Sequence, residues 1–101
     1  MKNVILSADG RSKVYSVPDE VAENLYKHCL YFCTKWIRSG PYAKKYRRAH
    51  GCVCYNEDDF VEYLNTWVSP EQPSVPVKDL GFIRWNWLTP FKYRRCPRFN
   101  F

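Results

Sequence analysis

A stripe of apolar side chains runs through the first half of the chain: Val21, Leu25, Cys29, Phe32 and Trp36, with Ala22, Cys33 and Ile37 beside it. Steps of three and four residues place them on one face of an α-helix. The opposite face carries Glu20, Glu23, Asn24, Lys27, Tyr31, Lys35 and Arg38, which suit water. Val17-Pro18-Asp19-Glu20 marks the start, because proline fits a first helical turn and acids there complement the helix dipole. Gly40-Pro41 marks the stop, as a C-cap glycine followed by a helix breaker. The pattern predicts a helix of about 20 residues with one face to bury. What covers that face decides the fold.

Three other segments compete to cover it. Val4-Ile5-Leu6 and Val14-Tyr15-Ser16-Val17 flank Asp9-Gly10, which predicts a β-hairpin over residues 2–17. A two-stranded hairpin is barely stable alone, so it has to pack on the helices. Asn56 followed by Glu57, Asp58 and Asp59 predicts the capped start of a second helix. Its buried side is Phe60, Leu64 and Trp67 with Val61 and Val68, and Ser69-Pro70 ends it. Tyr42 to His50 reads as a short helix or an exposed loop, and Gly51 to Tyr55 as an extended step. The proline-rich stretch 69–76 reads as a linker, and Val77 to Ile83 as a last strand or turn. Arg84 to Phe101 shows no period and is broken by Pro90 and Pro97. The expected architecture is α+β: an N-terminal β-hairpin, two packed amphipathic helices, and a C-terminal basic aromatic segment. The domain boundary is expected after residue 83, giving a small α+β domain over 1–83 and the segment over 84–101.

Charge is unevenly spread. From Val77 onward, Lys78, Arg84, Lys92, Arg94, Arg95 and Arg98 face one acid, Asp79, so this end carries five of the six net positive charges. The same stretch holds Phe82, Trp85, Trp87, Phe91, Tyr93, Phe99 and Phe101. Cations interleaved with flat rings suit a polyanion that offers bases to stack on, or a protein pocket that the rings anchor in; the alternatives are rings packed on this domain's own core and a disordered tail. An aromatic content of 18% and a hydrophobic content of 46% are too rich for a disordered chain. No apolar run reaches the roughly 18 residues of a membrane span, and the N-terminus lacks the apolar stretch of a signal peptide. A cytoplasmic protein with no membrane partner is expected. Five cysteines in such a chain point to thiols or metal ligands before disulfides.

The string Val17-Pro18-Asp19-Glu20-Val21-Ala22-Glu23-Asn24-Leu25, then Cys29-Leu30-Tyr31-Phe32-Cys33, resembles a group of small uncharacterised bacterial proteins of mobile genetic elements. The likeness continues through Cys54-Tyr55-Asn56-Glu57-Asp58-Asp59-Phe60 and Tyr63-Leu64-Asn65 to about Gly81. The resemblance implies an accessory protein of a phage or integrative element. Some proteins of this kind inhibit host defence, anti-CRISPR inhibitors among them. The motifs carry no known chemistry, so no functional residue is transferred. The segment after Gly81 lies outside the likeness.

Three functional readings follow. The leading one is a non-enzymatic interaction protein that binds a host nucleic acid or nucleoprotein complex, most concretely an inhibitor of CRISPR–Cas defence acting by occlusion. Arg84, Trp85, Trp87, Lys92, Arg94 and Arg95 make the contact, with Lys44, Lys45, Arg47 and Arg48 in support. Rings exposed in this segment also suit a homodimer. The second is a zinc-stabilised or self-associating structural protein with Cys29, Cys33, Cys52 and Cys54 as ligands. Their spacing is unusual for zinc, and Cys29 and Cys33 lie on the apolar stripe, where cysteine serves as a small hydrophobe. The third is a cysteine-dependent enzyme pairing Cys52 or Cys54 with His50 or His28, but no elbow, oxyanion loop or orienting residue accompanies them. No glycine-rich phosphate loop is present.

Overall fold

The computed structural model describes residues 1–8, 10–39, 43–46 (Lys45 by its backbone alone), 53–82 and 89–101. The expected hairpin forms. Strands β1 (Lys2–Ala8) and β2 (Arg11–Val17) run antiparallel, with Ala8 opposite Arg11 and two residues between them. Gly10 has φ 86°, a left-handed conformation that a Cβ would penalise and that a tight hairpin turn requires. Two further strands join, β3 (Val75–Phe82) and β4 (Arg98–Asn100), in the order β3-β2-β1-β4. β1 is therefore interior. Its Val4 and Leu6 pack toward the helices with Tyr15 and Val17, while Ile5 packs on the other side with Val14 and Tyr93. A strand buried on both faces reads as an unbroken apolar run, which accounts for Val4-Ile5-Leu6.

The apolar stripe is helical but not continuous. Helix α1 (Asp19–Glu23) gives way at Asn24 to α2 (Leu25–Tyr31), which widens over Phe32–Trp36. Asn24 leaves helical geometry, at φ −123° and ψ 34°. Its side-chain amide donates to the Glu20 carbonyl at 3.1 Å, and its backbone amide donates to the same oxygen at 3.1 Å, so the two share one acceptor. In the widened turn the Ile37 amide reaches the Phe32 carbonyl at 3.1 Å, one residue further than in an α-helix. Val21, Leu25, Cys29 and Phe32 are buried as the stripe predicts, whereas its last member, Trp36, is only half-buried and Ile37 beside it is buried instead. Helix α3 (Glu57–Tyr63) starts at the expected cap. The Asp59 amide donates to Asn56 Oδ1 at 3.1 Å, and the Asn56 amide donates to Asp59 Oδ2 at 2.9 Å. Beyond Tyr63 this helix also widens, and the Ser69 amide donates to the Leu64 carbonyl at 2.8 Å. No helix among the described residues is long and apolar enough to cross a membrane.

Rings fill the space between helices and sheet. Phe32 lies within ring-stacking distance of Tyr46 (6.0 Å), Tyr55 (5.9 Å), Phe60 (5.5 Å), Tyr63 (5.3 Å) and Phe101 (6.1 Å), centroid to centroid. Most of these pairs meet edge to face, the arrangement that ring quadrupoles favour. Phe101 thus takes part in the core. Its amide donates to the Ser7 carbonyl at 2.8 Å, and β4 pairs parallel to β1 with Leu6 opposite Phe99. The segment expected to stand apart from residue 84 onward therefore contributes Tyr93, Phe99 and Phe101 to the interior of the same fold.

The outer strand β3 begins at Val75, inside the stretch expected to be a linker. Asn65 fixes the entry point: its amide nitrogen donates to the Ser74 carbonyl at 2.9 Å and its oxygen accepts from the Ser74 amide at 2.6 Å. Proline is tolerated at an edge, and Pro76, Lys78 and two register shifts blunt this one against further pairing. Arg11 holds β3 to β2 through Asp79, with Nε donating to Oδ2 at 3.1 Å and a second donation from the guanidinium NH2. Asp79 also accepts the Gly81 amide at 2.8 Å, and Gly81 adopts φ 71°.

Phe32→Ala is expected to cost about 3–5 kcal/mol, a large part of the stability of a domain this size, with Phe101→Ala producing a smaller loss. Urea unfolding of both variants checks this. Asp79 supplies a pH dependence. The Arg11 hydrogen bond, then the Gly81 amide, hold its carboxyl below the ordinary 3.8. The stabilisation is therefore present above that value and is lost as pH falls through the lower folded value. Hydrogen exchange in 75–82 is expected to accelerate as pH falls below about 4, beyond the intrinsic rate change and ahead of β1, and Asp79→Asn should remove that extra step.

Candidate nucleic-acid interface

Between Thr89 and Pro97 the chain forms a tight turn against the sheet face away from the helices. Tyr93 anchors it, 4% exposed, on Ile5 and Val14. The Tyr93 amide donates to the Pro90 carbonyl at 2.8 Å, and the Cys96 amide to the Tyr93 carbonyl at 3.2 Å. Thr89 is buried and serves as a clamp. Arg94 Nε donates to its carbonyl at 3.0 Å, and Arg98 donates to its hydroxyl at 2.8 Å. The Ile5 amide closes the far end on the Pro97 carbonyl at 2.8 Å.

Apart from Pro90, Cys96 and Pro97, what the turn does not bury is cationic or aromatic. Phe91, Lys92, Arg94 and Arg95 are exposed and line a depression of about 530 Å³. The Arg94 guanidinium lies 5.8 Å from the centre of the Phe91 ring, and Lys92 Nζ lies 5.5 Å from that of Tyr93. Both are cation–π distances. No aspartate or glutamate occurs in the sequence after Asp79, so no acid of this stretch offsets the field.

The expected contact residues divide accordingly. Lys92, Arg94 and Arg95 come together in this turn. Arg84, Trp85, Trp87, Arg47, Arg48 and the side chain of Lys45 lie outside the described residues. Lys44 is exposed on a short 3-10 turn, Ala43–Tyr46, whose Tyr46 packs into the helix-side core. Lys44 and the 91–95 turn thus belong to opposite layers of the fold, separated by the sheet. Phe91 was missed as a site residue. The sequence shows no period here, and Phe91–Tyr93 form a 3-10 turn with Phe91 exposed and Tyr93 buried. The proline at 90, which favours turn entry, was the available signal.

The proposed zinc ligands fare differently. Cys29 is 0% exposed within the apolar core, and burial, with the neighbouring Cys33 adding to it, pushes its thiol well above the ordinary 9.0. A zinc ligand has to be a thiolate, which this environment disfavours. Cys33 Sγ faces the Leu30 carbonyl at 3.7 Å, Cys54 is exposed, and Cys52 lies outside the described residues. Among the described residues no group of three His, Cys, Asp or Glu side chains is placed to hold a metal ion. His28 Nε2 lies 2.9 Å from a Glu20 carboxylate oxygen, within its own helical layer.

A second polar cluster sits where β2 meets α3. Tyr15 donates its phenol proton to Asp58 at 2.5 Å, and Lys13 Nζ lies 3.4 Å from Glu57 and 3.5 Å from Asp58. Burial, then the Asp58 hydrogen bond, push the Tyr15 phenol up. The paired charges join sheet to helix, and the acids serve the helix start as their positions in the sequence suggest.

No family model matches this chain, and neither a curated protein nor a solved structure matches it.

Thiol chemistry separates packing from metal binding at the cysteines. Cys54 is expected to react with iodoacetamide in the folded protein, and Cys29 only after denaturation. Mass spectrometry of peptides before and after adding denaturant reads both rates, and chelator treatment is expected to leave the Cys29 rate unchanged.

Proposed function

We propose that this chain is a non-enzymatic binding protein that grips a nucleic acid, or a nucleoprotein complex containing one, through the Phe91–Arg95 turn. The observation that carries the reading is a cationic turn held in shape before any partner arrives. Tyr93 is buried beneath it, Thr89 is clamped by Arg94 and Arg98, and Phe91, Lys92 and Arg95 are displayed. Little conformational entropy remains to be lost on binding, which favours affinity from a small footprint. Positive charge uninterrupted by acid attracts phosphates and releases their counterions. The mode of action is occlusion: the turn covers a strand or surface that another complex uses. In the most concrete form of this reading the occluded complex belongs to CRISPR–Cas defence, the context that the resemblance read in the sequence implies.

Lys92 and Arg95 are the residues to reverse, because Arg94 also holds the Thr89 carbonyl and its replacement would disturb the turn. Lys92→Glu/Arg95→Glu is expected to abolish binding to oligonucleotides while leaving the melting temperature within a few degrees of wild type. With two or three phosphate contacts, wild-type affinity is expected to fall roughly ten- to fortyfold between about 50 and 200 mM salt. Fluorescence anisotropy across a salt series measures both. Salt-independent binding, or wild-type affinity in the reversed variant, would refute the reading.

A further inference from the structure

The turn described above has a feature that phosphate attraction does not use. Phe91 is 86% exposed, the most exposed of the large apolar side chains described. One side of its ring is backed by the Arg94 guanidinium at 5.8 Å. That guanidinium is itself fixed by the Nε bond to the Thr89 carbonyl, and the backbone beneath is closed by the Pro90–Tyr93 bond. The ring is therefore held as a plate with a cation behind it and solvent in front. Lys92 and Arg95 stand beside it, around a depression whose volume of about 530 Å³ is in the range that holds small ligands.

Resting on the polyanion reading, we infer that this turn takes an unpaired nucleotide, so that the ligand is single-stranded nucleic acid and not a duplex. The base stacks on the open face of Phe91, and the flanking phosphates meet Lys92 and Arg95. In a duplex both faces of every internal base are covered by neighbouring base pairs, and a protein reaches only groove edges and the backbone. A stacking plate has nothing to stack on there. An unpaired strand offers the face of each base, and every base has one, so the contact tolerates any sequence. The guanidinium behind the ring fits the same ligand, since it adds positive charge where the strand runs and braces the plate.

The test uses the full chain with labelled oligothymidylate and blunt duplex, both of about 12 nucleotides, in fluorescence anisotropy. The variants are Phe91→Leu, which keeps an apolar side chain and removes the plate, and Lys92→Glu/Arg95→Glu. Phe91 is so exposed that the leucine variant is expected to melt with wild type. The expected result is single-strand affinity at least about tenfold above duplex affinity, reduced roughly five- to hundredfold in Phe91→Leu with duplex binding unchanged. The double reversal is expected to abolish binding of both ligands. Equal affinity for strand and duplex, or no effect of Phe91→Leu, overturns this inference while the polyanion reading stands. Absence of binding to either ligand overturns that reading as well. Capture of a host protein that survives nuclease and is lost in Phe91→Leu reassigns Phe91 as a protein anchor and likewise overturns the single-strand assignment.

Discussion

Phe32 is where the parts of this protein meet. Its ring sits in the widened turn after α2 and touches rings supplied by the 43–46 turn, by α3 and by the last residue of the chain. No two of those segments are neighbours in sequence. A chain of 101 residues can bury only about 60–65% of its unfolded surface, so large rings converging on one point contribute more than scattered aliphatics would. The widened turns belong to the same arrangement. An extra residue in the helical turn lets Phe32 and Ile37 both be buried, while Trp36 is left half-exposed beside Tyr63 and Trp67 at 5.0 and 5.8 Å.

The carboxyl end serves two layers at once. Phe99 and Phe101 pack on the helix side of the sheet, while Tyr93 packs on the far side. The three-residue strand β4 lies between, paired with β1. This sealing of both faces is what lets Val4-Ile5-Leu6 of β1 run apolar without a break. It also leaves the cations of the segment with nowhere to go but solvent, because guanidinium and ammonium groups are costly to bury without partners. Arg94 and Arg98 find such partners at Thr89, and Lys92 and Arg95 stay at the surface. The proposed binding turn is thus a by-product of core formation: within 89–101, Tyr93, Phe99 and Phe101 go inward, and the cations, with Phe91, form the outer surface.

Much of the framework was readable from local signals. Asp-Gly between short apolar runs gives a hairpin because few residues accept the backbone a two-residue turn needs. Asn56 with Asp59 gives a helix start because the side chains satisfy amides that nothing else reaches. Other features left no local trace. β4 is too short for alternation to register, and its partner lies more than ninety positions away, as in Ile5 opposite Arg98. The strand character of β3 was legible from Val77 onward as a strand or turn, while its start at Val75 and Pro76 was hidden in a proline-rich stretch that an edge tolerates. The interruption at Asn24 lies in its backbone angles, with its side chain and its amide sharing the Glu20 carbonyl, and periodicity does not register either.

For the candidate site, the sequence by itself determined that positive charge and planar rings crowd the carboxyl end, since composition is independent of folding. It did not determine which of them face outward. Phe91 and Tyr93 are nearly equivalent as text, two aromatics flanked by cations. Only the docking of Tyr93 on Ile5 and Val14, across the back of a sheet built from both ends of the chain, turned one ring in and the other out. Burial is a property of long-range partners, and a local pattern of ring and charge is compatible with either orientation until those partners are in place.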